Sequence, residues 1–353
     1  MKIFSLLKEA IYLGASDIHI TADLLPILRV KGKFIKLSNC VLTKDDTKEM
    51  VKEIAGEDRF KIVESIGELD FSVELKDGNR FRVNAFKQKG SYAMAIRIIN
   101  AKVPNFNDLN LPEILKIFTQ KHKGLVLVTG PTGSGKSTTL ASLIDMINEN
   151  RQAHIITLED PIEYVHNHKK SIVNQREIGS DSKTFKSALR SILRQDPDVI
   201  LIGEMRDFET ISIALTASET GHLVFSTLHT IGAAKTIDRI IDNFPPQQQQ
   251  QIRIQLSTVC EGIISQQLLP MANENRMVAA TEVMIATPAI RNLIRDNKIY
   301  QIQNTIQTGN SKGMHTMDQD LVKLYKQGKI AKEIALSRCS DFEYVNKYII
   351  NVN

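Results

Sequence analysis

The sequence predicts an α/β protein in two parts, a small α+β domain followed by a larger domain on a parallel-rich sheet with helices on both faces. Three observations lead there. From residue 113 onward, apolar runs alternate with helical stretches, the pattern of strands buried on both faces. One of these runs, Leu125-Val126-Leu127-Val128, feeds a glycine-rich turn with the spacing of a phosphate-binding loop. Ahead of residue 100 a first helical pattern is followed by strand candidates, among them a stretch at 80–85 that alternates in period two, as in antiparallel strands. At 353 residues the chain is also long for a single core.

The elements follow in order. Apolar residues at 3, 4, 6, 7, 10 and 11 mark a first amphipathic helix, because that spacing lines one helical face. Asp17-Ile18-His19-Ile20 and Ile27-Leu28-Arg29-Val30 are strand candidates, with Lys31-Gly32-Lys33 as a turn. Arg80-Phe81-Arg82-Val83-Asn84-Ala85 alternates strictly, Lys87 to Gly90 turns the chain, and Tyr92 to Ile99 returns as a second strand. That hairpin places Arg80 and Arg82 on one face, which is solvent or an interface. The domain spans 1–99. Residues 100–112, rich in Asn with two prolines, read as an ordered linker, and 113–353 form the larger domain with a helical C-terminal region. Its strands are expected at 125–129, 155–158, 199–202 and 223–227. Pro245-Pro246 followed by glutamines starts a surface helix, since proline fits the first helical turn.

The chemistry gathers at the strand ends. In Gly130-Pro131-Thr132-Gly133-Ser134-Gly135-Lys136-Ser137-Thr138 the glycines let successive N–H groups turn inward, and the helix from Ser137 adds its positive end. Lys136 would reach the β- and γ-phosphates of ATP, and Ser137 would hold Mg²⁺. Asp198-Val199-Ile200-Leu201-Ile202-Gly203-Glu204 ends a core strand in an acid, where carboxyl ends of parallel strands border a ligand crevice, so Glu204 would order the metal and its waters. Glu159, Asp160 and Glu163 crowd the end of another strand that Pro161 stops. Neighbouring carboxylates raise one another's pKa, which suits a general base acting on water, although a plain acidic turn has the same composition. His229 closes Gly221-His222-Leu223-Val224-Phe225-Ser226-Thr227-Leu228-His229 and would sense a γ-phosphate; alone, a strand-end histidine is as readily structural.

Composition narrows the partners. Lys and Arg number 45 against 40 Asp and Glu, a formal charge of +5, and they are interspersed; with no Trp and no basic block, this argues against a nucleic-acid partner. Clusters such as Lys121-His122-Lys123 and His168-Lys169-Lys170 read as solvated surface. The three cysteines, Cys40, Cys260 and Cys339, are too far apart for a C-x-x-C site and odd in number, which fits a reducing cytoplasm. No apolar stretch reaches the roughly 20 residues of a membrane span, so membrane association would run through a protein partner rather than by insertion.

These blocks, in this order, resemble the secretion ATPase superfamily of type II secretion and type IV pili, and within it the PilT-type pilus retraction ATPases. The resemblance makes 130–138 a Walker A loop, 159–163 an acidic box, 198–204 a Walker B strand and 221–229 a histidine box. It implies a PAS-like N-terminal domain, starting at Gly14-Ala15-Ser16-Asp17-Ile18-His19, and a RecA-like P-loop ATPase domain. It further implies an Mg²⁺-dependent homohexamer, cytoplasmic and peripheral to the inner membrane, working on a pilus platform protein. In that ring Arg80, Arg82 and Arg97 would approach a neighbour's phosphates. Thr287-Pro288-Ala289-Ile290-Arg291-Asn292-Leu293-Ile294-Arg295-Asp296 resembles a helix of retraction motors, with 290, 293 and 294 inward and Arg291 and Arg295 on the other face. Asp296 replaces the usual Glu, and Thr230-Ile231-Gly232 departs from the family's usual continuation after His229. The alternatives are an assembly or secretion motor of the same superfamily, a regulatory nucleotide switch without mechanical work, and a nucleic-acid translocase.

Overall fold

Strict alternation builds the N-terminal sheet. In the computed structural model, which describes residues 2–30, 32–37, 40–75, 78–99, 103–274 and 276–350, the chain divides into two units, Met1–Lys102 and Val103–Asn353. The first holds α1 (Ile3–Tyr12), β1 (Ala15–Thr21), β2 (Ile27–Val30), β3 (Lys33–Lys36), α2 (Lys44–Ile66), β4 (Glu68–Glu74), β5 (Arg80–Gln88) and β6 (Ser91–Ile99). Its strands pair antiparallel in the order β3-β2-β1-β6-β5-β4.

Phe81, Val83 and Ala85 of β5 are buried, as are Ile18 and Ile20 of β1, and they share one core with Ile3, Leu6 and Leu7 of α1 and Met50, Val51 and Ile54 of α2. Both helices therefore cover the same face. The opposite face carries Asp17, His19, Arg82, Asn84 and Arg97, which line a hollow of about 220 Å³. The hairpin turn is tighter than the sequence suggests: β5 runs to Gln88 and β6 begins at Ser91, leaving Lys89 and Gly90 with φ of 45° and 70°. Positive φ at both positions matches the right-handed twist of the flanking strands. Lys31 of the earlier turn lies outside the described residues. The sequence reading passes over α2, although its start is signalled: the Thr43 hydroxyl accepts from the Asp46 N–H while the Asp46 carboxylate accepts from the Thr43 N–H.

The second unit contains β7 (Gly124–Thr129), α3 (Lys136–Asn150), β8 (His154–Glu159), β9 (Ile172–Glu177), α4 (Phe185–Ile192), β10 (Val199–Ile202), α5 (Phe208–Glu219), β11 (Leu223–Leu228), α6 (Ala233–Asp242), α7 (Pro246–Val259), β12 (Cys260–Pro270) and β13 (Met277–Ile285). The remaining helices are α8 (Pro288–Arg295), α9 (Ile302–Gln307), α10 (Met317–Lys326), α11 (Lys332–Arg338) and α12 (Phe342–Ile350). The sheet order is β13-β12-β7-β11-β10-β8-β9, parallel throughout except for the antiparallel β12–β13 pair.

Every residue of β7, β10 and β11 is buried. Leu125 and Leu127 pack toward α4–α9 on one face, and Val126 and Val128 toward α3 on the other. Of the stretch 100–112, residues 100–102 lie outside the described ones, while Phe106 and Leu111 are buried in the core beneath α3. The expected strand–helix alternation is broken between β8 and β9, which follow one another with no α-helix between them, and it ends at β11. After it come two consecutive helices, an edge hairpin that makes the sheet mixed, and then helices only, because β12 returns beside β7 and hands its outer edge to β13 rather than to a crossover. The proline-led helix is α7, with Pro246 in its first turn.

The alternation along β5 can be tested with neighbouring residues. Phe81→Ala, at a fully buried ring, is expected to cost about 3–5 kcal/mol in urea unfolding of the N-terminal unit. Arg82→Ala, half-exposed beside Asp70, is expected to change it by no more than about 1 kcal/mol.

Candidate functional site

Between the last residue of β7 and the first of α3 the chain has six residues to reverse its course, and glycine makes that possible. Gly130, Gly133 and Gly135 have φ of 140°, 79° and 86°, values that L side chains rarely adopt. Two of them are also sterically required. A Cβ on Gly130 would lie 2.2 Å from the Gln266 carbonyl oxygen, and one on Gly135 would lie 2.8 Å from the Gln266 amide nitrogen. Pro131, Thr132 and Gly133 are exposed at the rim, whereas Ser134 is buried.

The Lys136 ammonium folds back into this loop. It donates to the carbonyls of Gly130 at 2.8 Å and Pro131 at 3.1 Å. Desolvation pulls its pKa below the usual lysine value, while the charges of Glu204 and Glu163 work to raise it. The Ser134 hydroxyl is buried with no hydrogen-bond partner among the described residues. A buried cation resting on main-chain carbonyls, beside an unpartnered hydroxyl and at the amino end of α3, is a cradle suited to an anion.

The three strand ends beside the cradle carry its acids and histidine. Glu204, just past β10, accepts from Arg206 Nε at 2.8 Å and lies 3.2 Å from His229 Nε2, just past β11. Two hydroxyls fasten these strand ends together: Ser226 Oγ donates to the Ile202 carbonyl and Thr227 Oγ1 to that of Gly203. Glu159, the last residue of β8, accepts from Thr157 Oγ1 at 2.6 Å and Gln175 Nε2 at 3.2 Å. Enclosure pushes its carboxyl pKa up, and hydrogen bonds from Thr157 and Gln175 offset part of the rise. The rise thus comes from burial, and not from neighbouring carboxylates as the sequence suggests. Asp160 and Glu163 are exposed.

The loop bearing Glu163 is fixed on both sides of it. The Ile162 N–H donates to the buried Glu177 carboxylate at 3.1 Å, and Gln175 both donates to the Tyr164 carbonyl and accepts from the His166 N–H. Tyr164 also joins its hydroxyl to Thr138 Oγ1 at 2.9 Å, tying the acidic loop to the first turn of α3. Tyr164, Gln175 and Glu177 escape sequence reasoning, as does Gln266, whose amide donates to the Ser134 carbonyl at 2.7 Å and accepts from Thr139 Oγ1 at 2.8 Å. The only sequence signal at Gln266 is a polar trio, Ser265-Gln266-Gln267, inside an apolar run. Ser265 accepts from the Gly232 N–H, so consecutive residues of β12 hold the phosphate loop and the loop after His229.

The structure therefore gathers the loop 130–138, Glu159, Asp160, Glu163, Glu204 and His229 at one edge of the sheet. Arg80, Arg82 and Arg97 belong to the N-terminal unit, each beside an acid of its own sheet: Arg80 Nε is 3.9 Å from Glu74, Arg82 Nε 3.9 Å from Asp70, and Arg97 Nε 3.0 Å from Asp17. Burial works to raise the Asp17 carboxyl, but hydrogen bonds from Arg97 and Ser16 outweigh it and hold it below the usual carboxylate range. On α8, Ile290 and Ile294 are buried as expected. Arg291 is not a free outer-face residue: it donates to the carbonyls of Ala286, Ser257 and Thr258 and to the Glu261 carboxylate, pinning α8 to the α7–β12 junction. Lys121 closes on the same carboxylate at 2.7 Å.

Residues 2–339 match the family described as type II/IV secretion system protein. The chain is 48% identical, over 97% of its length and 91% of the relative's, to a twitching motility protein of Neisseria gonorrhoeae. It is also 48% identical, over 95% and 97% of the two chains, to the type IV pilus retraction ATPase PilT of Pseudomonas aeruginosa. Among solved structures, that of the pilus retraction motor PilT with bound ADP superposes with a TM-score of 0.93 at 50% identity, covering 98% of this chain and 99% of that one.

The close approach of Gln266 to the loop sets up a comparison of two glycines. Gly130→Ala is expected to lower stability in urea unfolding by about 1–3 kcal/mol, because a backbone carbonyl must give way. Gly133→Ala, whose Cβ meets nothing within 4 Å, is expected to cost less, about 1 kcal/mol from its positive φ alone.

Proposed function

The chain belongs to the type II/IV secretion system protein family, and we propose that it is an ATPase motor that drives type IV pilus retraction and hence twitching motility. The observation that carries this reading is the cradle itself, in a chain alike over nearly its whole length to retraction ATPases. The Lys136 ammonium occupies the place of a phosphate's counter-charge, held by two carbonyls that release it when a stronger acceptor enters.

In this reading ATP is the substrate. The N–H groups of 130–138 and the amino end of α3 bind its phosphates, and Lys136 turns from the Gly130 and Pro131 carbonyls to the β- and γ-phosphate oxygens. Glu163, presented on its pinned loop, orients the attacking water and takes its proton as the bond to the γ-phosphorus forms and that to the ADP oxygen breaks. His229, through Glu204, reports whether the γ-phosphate is present. Ser137 and Glu204 would hold Mg²⁺, one hydroxyl and one carboxylate being too few for a protein-only site and suited to an ion that arrives on phosphates. When bound, Mg²⁺ would neutralise part of the negative charge of the phosphates. Among the described residues no group of three or more His, Cys, Asp or Glu forms a metal site of its own.

The protein works as a homohexamer, cytoplasmic and held at the inner membrane by the pilus platform protein; no helix among the described residues is long and apolar enough to cross a membrane. Arg82 and Arg97 are exposed on the sheet face opposite the two helices, with Arg80 largely buried beside Glu74, and these arginines are the residues suited to stabilise a neighbouring subunit's transition state. A trans arginine contributes roughly 10³–10⁵ in rate, about 4–7 kcal/mol.

Lys136→Ala and Glu204→Ala are expected to cut ATP turnover at least about a hundredfold, measured by phosphate release from the assembled protein; full activity in either would remove the assignment. A strain lacking the gene, or complemented with Lys136→Ala, is expected to carry excess immobile pili, whereas absent pili would make this an assembly motor. Arg82→Ala is expected to bind ADP normally yet lose about 10²-fold or more in turnover, and unchanged turnover would exclude its action across subunits.

A further inference from the structure

The phosphate loop owes its shape to a side chain that no phosphate-loop motif contains. Gln266, buried on β12, sits 132 residues from Ser134 in sequence and donates its amide N–H to the Ser134 carbonyl at 2.7 Å. Its amide oxygen accepts from Thr139 Oγ1 in the first turn of α3 at 2.8 Å. One amide thus bridges the loop and the helix that follows it, spanning the residues on both sides of Lys136. Its backbone carbonyl oxygen and its side-chain amide nitrogen are also the atoms that a Cβ at Gly130 and at Gly135, respectively, would strike. Two of the glycines are accordingly small to admit Gln266, in addition to any bound anion.

We propose that Gln266 is a positioning residue for nucleotide binding, fixing the phosphate loop at Ser134 and the amino end of α3 at Thr139 so that their N–H groups converge on the β-phosphate. The inference rests on the reading of 130–138 as the ATP cradle. It follows from the rigidity such a cradle needs: donors held in place before the ligand arrives cost no ordering when it binds. Glycine-rich backbone, freest of all when unrestrained, gains most from an outside brace. The amide satisfies both ends with a single side chain, whereas a hydrocarbon there would leave a buried carbonyl and a buried hydroxyl unpaired.

The test uses the full-length protein with Gln266→Met, which keeps the length and bulk without the amide, and Gln266→Glu, which keeps the acceptor for Thr139 but loses the donor to Ser134. Affinity for a fluorescent ADP, the KM and kcat for ATP, and the melting temperature without nucleotide are measured side by side. Gln266→Met is expected to weaken ADP binding and raise KM about tenfold, with kcat within about threefold, as for the loss of a buried pair of hydrogen bonds. Gln266→Glu is expected to move in the same direction. A merely structural role would lower the melting temperature and leave the ADP affinity of the folded protein unchanged. Should Gln266→Met fail to fold, Thr139→Val removes the helix-side bond alone and is expected to weaken ADP binding about threefold. Wild-type ADP affinity in the folded variants would overturn the role of Gln266 while sparing the ATPase reading; a wild-type chain that binds no ADP would overturn both.

Discussion

A buried ammonium must rest on something, and the site is arranged around that requirement at Lys136. Its partners are two carbonyls of its own loop, neutral groups that can be exchanged for phosphate without leaving an uncompensated charge behind. Glu163 and Glu204 add negative potential without being its hydrogen-bond partners. A direct carboxylate contact would hold the lysine more tightly and compete with an incoming anion. The carboxylate nearest to such a role, Glu204, is instead engaged by Arg206 and His229, so cation and acid are each provisioned separately and each can be drawn to a ligand.

That separation depends on the sheet. Parallel strands with both faces covered end at one edge, so β7, β8, β10 and β11 deliver loop, acids and histidine side by side. The hydroxyls of Ser226 and Thr227, bonded to the ends of β10, keep Glu204 and His229 in register. At the other side of β7, β12 lends its polar residues in alternation: Gln266 to the phosphate loop and Ser265 to the loop after His229. A strand that supplies neither Glu204 nor His229 thereby fixes the backbone of the loop 130–138 and of the loop after His229.

What could be read from the sequence and what could not divide along contact range. The cradle 130–138 and the strand leading to Glu204 are legible because their chemistry is written within a few residues: glycine spacing, an apolar run, an acid just past its end. The four strands that the sequence predicts in this domain, β7, β8, β10 and β11, each centre on a short run of mostly apolar residues. Strands β9 and β12 are not predicted, because Ile172-Val173-Asn174-Gln175-Arg176-Glu177 and the Gln266 stretch carry polar side chains facing the site and so lack a clean period. The residues that break the pattern in these strands are the ones that hold the loops. Local propensity fails there for the reason that such strands are partly committed to function.

The acidic loop shows the same logic from the other direction. Its composition suggested carboxylates perturbing one another, but the structure gives each a different setting: Glu159 enclosed and bonded to Thr157 and Gln175, Glu163 exposed on a loop pinned at Ile162, Tyr164 and His166. An enclosed carboxyl with a raised pKa is a poor choice for contact with bulk water but a good structural anchor, since its hydrogen bonds to Thr157 and Gln175 are sheltered from competition. An exposed carboxylate on a fixed backbone is open to a ligand. Sequence places both acids within five residues and cannot tell their settings apart; the difference comes from β9, whose Gln175 bonds Glu159 and whose Gln175 and Glu177 pin the backbone on either side of Glu163.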